Sequence, residues 1–274
     1  HQITYKSGDR RNPVTEADQA SEEYLVQEIE DRYPEHAILG EEGQDREFTS
    51  SPFLWVLDPL DGTTNFLNGV PIFAVSIALL YEGRPITGCI YIPYPARDQG
   101  SLFHAKLGGG TFQDENPVTV AGAAKPGAGH IAILPGRYSR FLSFKKPMTA
   151  NHGEVRALGS ICYEATLVCH GVAQYSLFTG PKLWDVAAAV LLVREAGGLV
   201  LIGQGLGSWE PFESFPYPYV GEDKNGKLLR QWSRPIVIGN AAVSSFVAAR
   251  VKRKPMFRMR FRRWLNRRIF RRGN

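Results

Sequence analysis

Residues 53–66 read FLWVLDPLDGTTNF, and no other stretch restricts the chain so tightly. Phe53 to Leu57 is an apolar run bounded by Pro52 and by Asp58-Pro59, the pattern of a short buried strand. Pro59 cannot donate to a sheet and biases Asp58 away from the helical region, so the strand is expected to stop at Asp58. Asp61 follows three residues later, then Gly62, Thr63 and Thr64. Two carboxylates are thereby set at the end of a rigid strand. The Gly62-Thr63-Thr64 segment behind them can point its backbone N–H groups outward. Hard oxygen donors beside an N–H-rich turn suit Mg²⁺ and phosphate together. Asp and Pro are also common turn residues, so the same string fits an ordinary type I turn.

Three further stretches decide between those readings: VTEAD at 14–18, GEE at 40–42 and WDVAAAVLLVREAGG at 184–198. Together with DPLDGTTNF, in this order and spacing, they resemble the inositol monophosphatase family of Mg²⁺-dependent sugar and polyol phosphatases. The resemblance runs from near residue 5 to near residue 250. It implies an α/β fold, the layered αβαβα sandwich that the family shares with fructose-1,6-bisphosphatase. Residues 1–125 would form a half built on a large antiparallel sheet, and 126–250 a half built on a mixed sheet. Residues 251–274 lie beyond the resemblance. A homodimer and sensitivity to lithium are expected by the same analogy, as is most of a first helix upstream of His1.

The resemblance also implies roles. Glu41 and Asp58, with the Leu60 carbonyl, would hold one metal ion. Asp58, Asp61 and Asp185 would hold a second, giving two or three Mg²⁺ per site. Unit charges about 4 Å apart repel by roughly 4 kcal/mol at an effective dielectric of 20. Four converging carboxylates therefore call for such counter-charge. Glu41 and the Thr63 hydroxyl would position and deprotonate a water that attacks phosphorus in line. Asp18 would hydrogen-bond around the metals, and Glu42 would accept outer hydrogen bonds. The turn at Gly62, Thr63 and Thr64 would cradle the phosphate. Read without the family, Asp18 and Asp185 also fit as first-turn carboxylates of helices. Ser160 fits both an N-cap and a helix N-terminus that meets a substrate oxygen or phosphate.

Three positions depart from the family pattern. Phe178 stands where inositol-specific members carry a substrate-binding Glu, Gln174 replaces an Asp of the same strand, and Asn68 replaces a common His. Hydrolysis of a small phosphorylated metabolite is the expected activity, without inositol as the expected alcohol. Relatives handle fructose bisphosphate, histidinol phosphate and nucleotide 3′-phosphates. The rival class is a non-catalytic binding module on the same fold. Intact Glu41, Asp58, Asp61, Asp185 and Thr63 argue against it.

The remaining chain reads as alternating elements. A helix is expected from Thr15 to about Arg32, after a polar loop that contains Lys6, and a short strand over 37–39. Residues 72–81 and 86–92 should pair as a hairpin through Glu82-Gly83. Gly108-Gly109-Gly110 lacks the Lys-Ser/Thr of a nucleotide loop and reads as a hairpin turn. Further strands are expected at 130–136, 175–178, 199–202 and 235–238. Helices are expected at 160–172, from Trp184 to Gly197-Gly198, and at 240–250.

The net charge of +5 divides unevenly. Residues 250–274 hold 12 Lys/Arg and no acid, leaving 20 basic against 27 acidic residues elsewhere. Phe257, Phe261, Trp264, Leu265 and Ile269 recur at helical spacing among the arginines of 255–272. That pattern fits an amphipathic helix on an anionic membrane surface. It equally fits a solvated or self-docked tail, or a contact with nucleic acid or another acidic partner. No run of 18 apolar residues exists to cross a membrane. Cys89, Cys162 and Cys169 sit in apolar surroundings as reduced thiols, which suits the cytoplasm. The six His residues have no ligand spacing for zinc.

Overall fold

The computed structural model describes residues 3–5, 13–43, 51–95, 99–217 and 226–254. In chain order the elements begin with β1 (Ile3–Tyr5), β2 (Pro13–Thr15), α1 (Glu16–Arg32), β3 (Ala37–Gly40) and β4 (Phe53–Asp61). They continue with α2 (Thr63–Leu67), β5 (Ala74–Tyr81), β6 (Arg84–Ile92), β7 (Ser101–Lys106), β8 (Thr111–Gln113) and β9 (Asn116–Val118). The later half holds β10 (Ile131–Ile133), β11 (Leu142–Phe144), β12 (Glu154–Arg156), α3 (Ile161–Cys169), β13 (Ala173–Phe178) and α4 (Leu183–Glu195). It closes with β14 (Leu199–Gly203), β15 (Trp209–Pro211), α5 (Lys227–Gln231), β16 (Ile236–Gly239), α6 (Ala241–Ala248) and β17 (Val251–Arg253). Val251 to Arg253, counted with the tail on sequence alone, pair with Leu142 to Phe144 as part of the body. Lys6 and the 255–272 stretch lie outside the described residues.

Seven strands form one sheet in the order β3-β4-β5-β6-β7-β8-β9, antiparallel everywhere except β3 beside β4. A six-stranded mixed sheet has the order β12-β10-β13-β16-β14-β15. Helices α3 and α4 pack between the two sheets, α1 covers the outer side of β4, and α6 covers the outer side of β14 and β16. The result is the expected five-layer α/β sandwich. Strand β16 shows how the sequence builds it. Ile236 and Ile238 face the inter-sheet core, while Val237 faces α6 and its Val243 and Val247. Helix α4 is apolar all round because it is buried all round: Leu183, Trp184 and every residue from Val186 to Val193 are inaccessible. Its small Ala187-Ala188-Ala189 run lets β6 approach closely. A Cβ at Gly88 would lie 3.1 Å from the Ala188 Cα.

Strand β4 runs further than the sequence suggested. Pairing with β5 continues at Asp58↔Ser76 and resumes at Asp61↔Ala74, with a shift between them. Pro59 and Leu60 on β4 thus stand against the single Val75 on β5, so Pro59, which lacks an N–H, falls in a β-bulge rather than at a strand end. The hairpin of β5 and β6 turns as expected through Glu82 and Gly83, both at positive φ (47° and 79°). The Gly108–Gly110 turn is likewise a hairpin between β7 and β8. Its Gly108 and Gly110 N–H groups donate to the Glu195 carboxylate at 3.0 Å each.

Candidate active site

The bulge in β4 aims two carboxylates at the gap between the sheets. Asp58 is buried and accepts the Leu60 N–H at 3.2 Å. Asp61 accepts the Ser160 hydroxyl at 2.6 Å and the Cys162 N–H at 2.5 Å, so the first turn of α3 anchors it. Asp185 arrives from the opposite side, in the first turn of α4, where its carboxylate accepts the Lys182 N–H at 2.7 Å. One oxygen of each aspartate is therefore held by a local donor.

Glu41 is half-buried at the end of β3, with its N–H donating to the Leu57 carbonyl at 3.2 Å. Its neighbour Glu42 donates its own N–H to Glu22 at 2.9 Å.

Burial raises the Asp58 carboxyl well above the usual range, and repulsion from Glu41, Asp61 and Asp185 adds to the rise. Burial also lifts Asp185, reinforced by Asp61 and Glu41. Asp61 rises less, to about 6, because the Ser160 and Cys162 hydrogen bonds favour its charged form against burial. The four carboxylates thus stand within electrostatic reach of one another. Among the described residues, no three His, Cys, Asp or Glu side chains are gathered as a ready-made metal cage.

Gly62 begins α2 in the left-handed region (φ +95°), packed so that a Cβ would lie 3.0 Å from the Ser160 Cβ and 3.1 Å from the Ile72 carbonyl. The first N–H groups of a helix have no intrahelical acceptor, which leaves those of Thr63 and Thr64 free to meet an anion. Thr63 Oγ1 lies 3.1 Å from both Asp18 Oδ1 and the Leu60 carbonyl. Asp18 is buried and faces Thr63. Ser160 is the N-cap of α3, accepting from Tyr163 N–H at 3.2 Å, so its hydroxyl is shared between the cap and Asp61.

Beside this cluster lies a cavity of about 500 Å³ lined by Asn65, Leu158, Ser160, Ile161, Glu164 and Phe178 among others. Phe178 presents an apolar wall there. Gln174, the other specificity position on β13, is elsewhere. It is buried at the far end of the strand, and its amide bonds Gly127 and His130. A residue four places away on a strand lies some 13 Å along it, which removes Gln174 from the site. Asn68 caps α2 on the surface through the Thr64 carbonyl at 2.8 Å.

Three positioning residues escaped the sequence reading. Asn65 donates to the carbonyls of Ile72 and Leu158, both at 2.7 Å, and stitches the Gly62–Thr64 turn to the segment that leads into α3. Its place in the DGTTNF string was the available signal. Glu164 holds the Leu158 and Gly159 N–H groups, and burial pushes its carboxyl up to about 7. An acid in an otherwise apolar helix could have flagged it. Arg230 of α5 donates to the carbonyls of Gly40 and Gly43, and nothing local in the sequence announces that contact.

Comparison with known proteins agrees with this layout. Residues 1–224 match the model of the inositol monophosphatase family. An inositol-1-monophosphatase of Mesorhizobium japonicum is 38% identical over 192 residues, covering 68% of this chain and 71% of that protein. A histidinol-phosphatase of Chlorobaculum parvum is 35% identical over 189 residues, covering 68% and 71%. The crystal structure of the extragenic suppressor protein suhB from Bartonella henselae superposes with a TM-score of 0.68 at 26% identity, covering 90% of this chain and 88% of that one.

Proposed function

The chain belongs to the inositol monophosphatase family, a family of phosphoric monoester hydrolases, and from that footing we propose that it is a Mg²⁺-dependent phosphatase acting on a small sugar or polyol phosphate. The observation that carries this reading is the convergence of Asp58 and Asp61 from one sheet with Asp185 from the helix layer, all within reach of Glu41.

The donor set suits a hard divalent cation. It is all oxygen, partly to fully buried, and costly to ionise without counter-charge. Glu41, Asp58 and the Leu60 carbonyl would hold one ion, and Asp58, Asp61 and Asp185 another. When bound, the ions would supply Lewis acidity to the phosphoryl group and make water more acidic. The chain's own residues do the orienting. Thr63 has one hydroxyl proton to give to Asp18 or to the Leu60 carbonyl, and its remaining lone pair would accept from the attacking water. Glu41 would take one proton from that water. The N–H groups at Gly62, Thr63 and Thr64 face the phosphate oxygens as charge develops on them. Ser160 and Cys162 keep Asp61 ionised and aimed. The alcohol part of the substrate enters the cavity beside Phe178. That apolar wall offers no acceptor to a ring hydroxyl, which favours an alcohol other than inositol.

The test is phosphate release from sugar, polyol, histidinol and nucleotide phosphates, with and without Mg²⁺, beside Asp58→Asn. Mg²⁺-dependent turnover that falls by more than about 100-fold in the variant is expected, the scale of losing a main charge-stabilising group. Folded protein that hydrolyses none of them would overturn the reading in favour of the binding module.

A further inference from the structure

The six-stranded sheet presents a row of strand ends beside the active site, and that row carries a second cavity. Phe178 pairs with Ile236, and Ile236 pairs in turn with Ile202. The end of β13, the start of β16 and the end of β14 therefore lie side by side. The segments that continue from them, around Thr179, Ser233 to Pro235 and Gly203 to Leu206, enclose a space of about 420 Å³. Thr179 lines this space and also the 500 Å³ cavity beside Phe178 and Ser160, so the two adjoin across one residue.

The second cavity is cationic. Arg234 and Arg253 both line it, with Ser233, Thr179 and the Gly203–Gly205 segment. Arg234 is fixed in place. Its Nε donates to the Gly203 carbonyl at 3.1 Å and its Nη2 to Glu210 at 2.9 Å, so Glu210 offsets part of its charge. Arg253 comes from β17, whose ladder with β11 sets it beside Leu142. Among the described residues, its guanidinium has neither an acceptor nor an ion-pair partner. A paired and pre-oriented Arg beside an unpaired one is an arrangement that recognises an anion.

We propose that this cavity binds a second anionic group on the alcohol part of the substrate, and that the chain prefers phosphate esters whose alcohol carries a further phosphate or a carboxylate. The inference rests on the phosphatase reading and deepens it. The scissile phosphate sits at the Gly62–Thr64 turn, the carbon skeleton passes Phe178 and Thr179, and the distal anion meets Arg253 and Arg234. The apolar middle section then needs no hydroxyl-binding acid, which accounts for Phe178 where a Glu would suit inositol.

The experiment compares kcat and KM for three esters: a hexose monophosphate, a hexose bisphosphate and a phosphoglycerate. Each is measured with the unmodified chain, Arg253→Ala, Arg253→Lys and Arg234→Gln. The unmodified chain should favour at least one doubly anionic ester. Arg253→Ala should raise KM for that ester about 10-fold or more, the scale of one charged hydrogen bond, and leave its kcat and both constants for the monophosphate within about twofold. Arg253→Lys should recover part of the loss, and Arg234→Gln should add to it. Sensitivity confined to the bisphosphate names a phosphate as the distal anion, and sensitivity confined to the phosphoglycerate names a carboxylate. Equal effects on all three esters, or no advantage of a second anion, overturn the inference while the phosphatase reading stands. Failure to hydrolyse even the monophosphate and every other ester removes that reading, and this one with it.

Discussion

Arg230 offers the sharpest test of how the Glu41 segment is held. Its guanidinium spans from α5 to the carbonyls of Gly40 and Gly43, on either side of Glu41 and Glu42. The segment is also tied through the Glu41 N–H to Leu57 and the Glu42 N–H to Glu22. Arg230→Ala removes two charge-assisted bonds, each worth about 1.5–3 kcal/mol in a mutational series. The group is only partly buried, so the low end applies, giving about 3 kcal/mol in all. Some of this appears as lost stability, a drop of several degrees in Tm. The rest must be supplied when Glu41 is ordered around a metal. A share of about 1.4–2.8 kcal/mol corresponds to a 10- to 100-fold rise in half-saturating Mg²⁺. Activity at saturating Mg²⁺ should stay within a few fold, and Arg230→Lys should fall between. Titrating Mg²⁺ against phosphate release measures this directly. If Arg230→Ala lowers Tm but leaves the Mg²⁺ midpoint unchanged, the residue supports the fold alone and the positioning argument is wrong.

Two further outcomes follow from the same geometry. Gly62→Ala forces a side chain into φ +95° against Ser160 and the Ile72 carbonyl, and should cut kcat at least 10-fold by shifting the Thr63 turn. Gly108→Ala, at φ +75° with open space around it, carries the strain without the displacement and should leave kcat unchanged. The pH dependence of the metal-free protein has a definite sign. Asp61 titrates near 6 when folded against an ordinary 3.8. Between those values the folded state keeps a proton that the unfolded chain has lost, so stability falls as pH rises, by up to about 3 kcal/mol. Glu164, lifted to about 7 from 4.5, acts in the same direction. With EDTA present, Tm should therefore fall from pH 4 to pH 7, and added Mg²⁺ should restore more of it at pH 7 than at pH 5. A metal-free Tm that rises over this window would contradict the buried-carboxylate account.

How much was legible in the sequence depended on whether a contact was local. The hairpin of β5 and β6 was readable because Glu82-Gly83 sits between two alternating apolar runs, and α4 because its caps flank an unbroken apolar stretch. The DPLDGTTNF string announced the turn at Gly62 but hid the bulge. Proline's missing N–H signals that a ladder bond is lost, yet cannot say whether pairing ends or skips and resumes at Asp61↔Ala74. Gln174 misled for a related reason: a shared strand does not mean a shared end. Arg230 was invisible because its partners are carbonyls 187 and 190 positions away, and every residue carries a carbonyl.

That division explains the form of the site. Each aspartate of the site is gripped through one oxygen by donors at a strand bulge or helix start, namely the Leu60, Cys162 and Lys182 N–H groups with the Ser160 hydroxyl. Backbone donors at such places are unsatisfied in any case, so a carboxylate there meets a need of the element while being aimed at the gap. The repulsion between the aspartates is thus opposed by three separate anchors on β4, α3 and α4 rather than by one network. A loss at one anchor should misdirect one carboxylate and leave the other two in place. A fold held by such independent grips can present a concentrated negative charge and still close its core around Val186 to Val193.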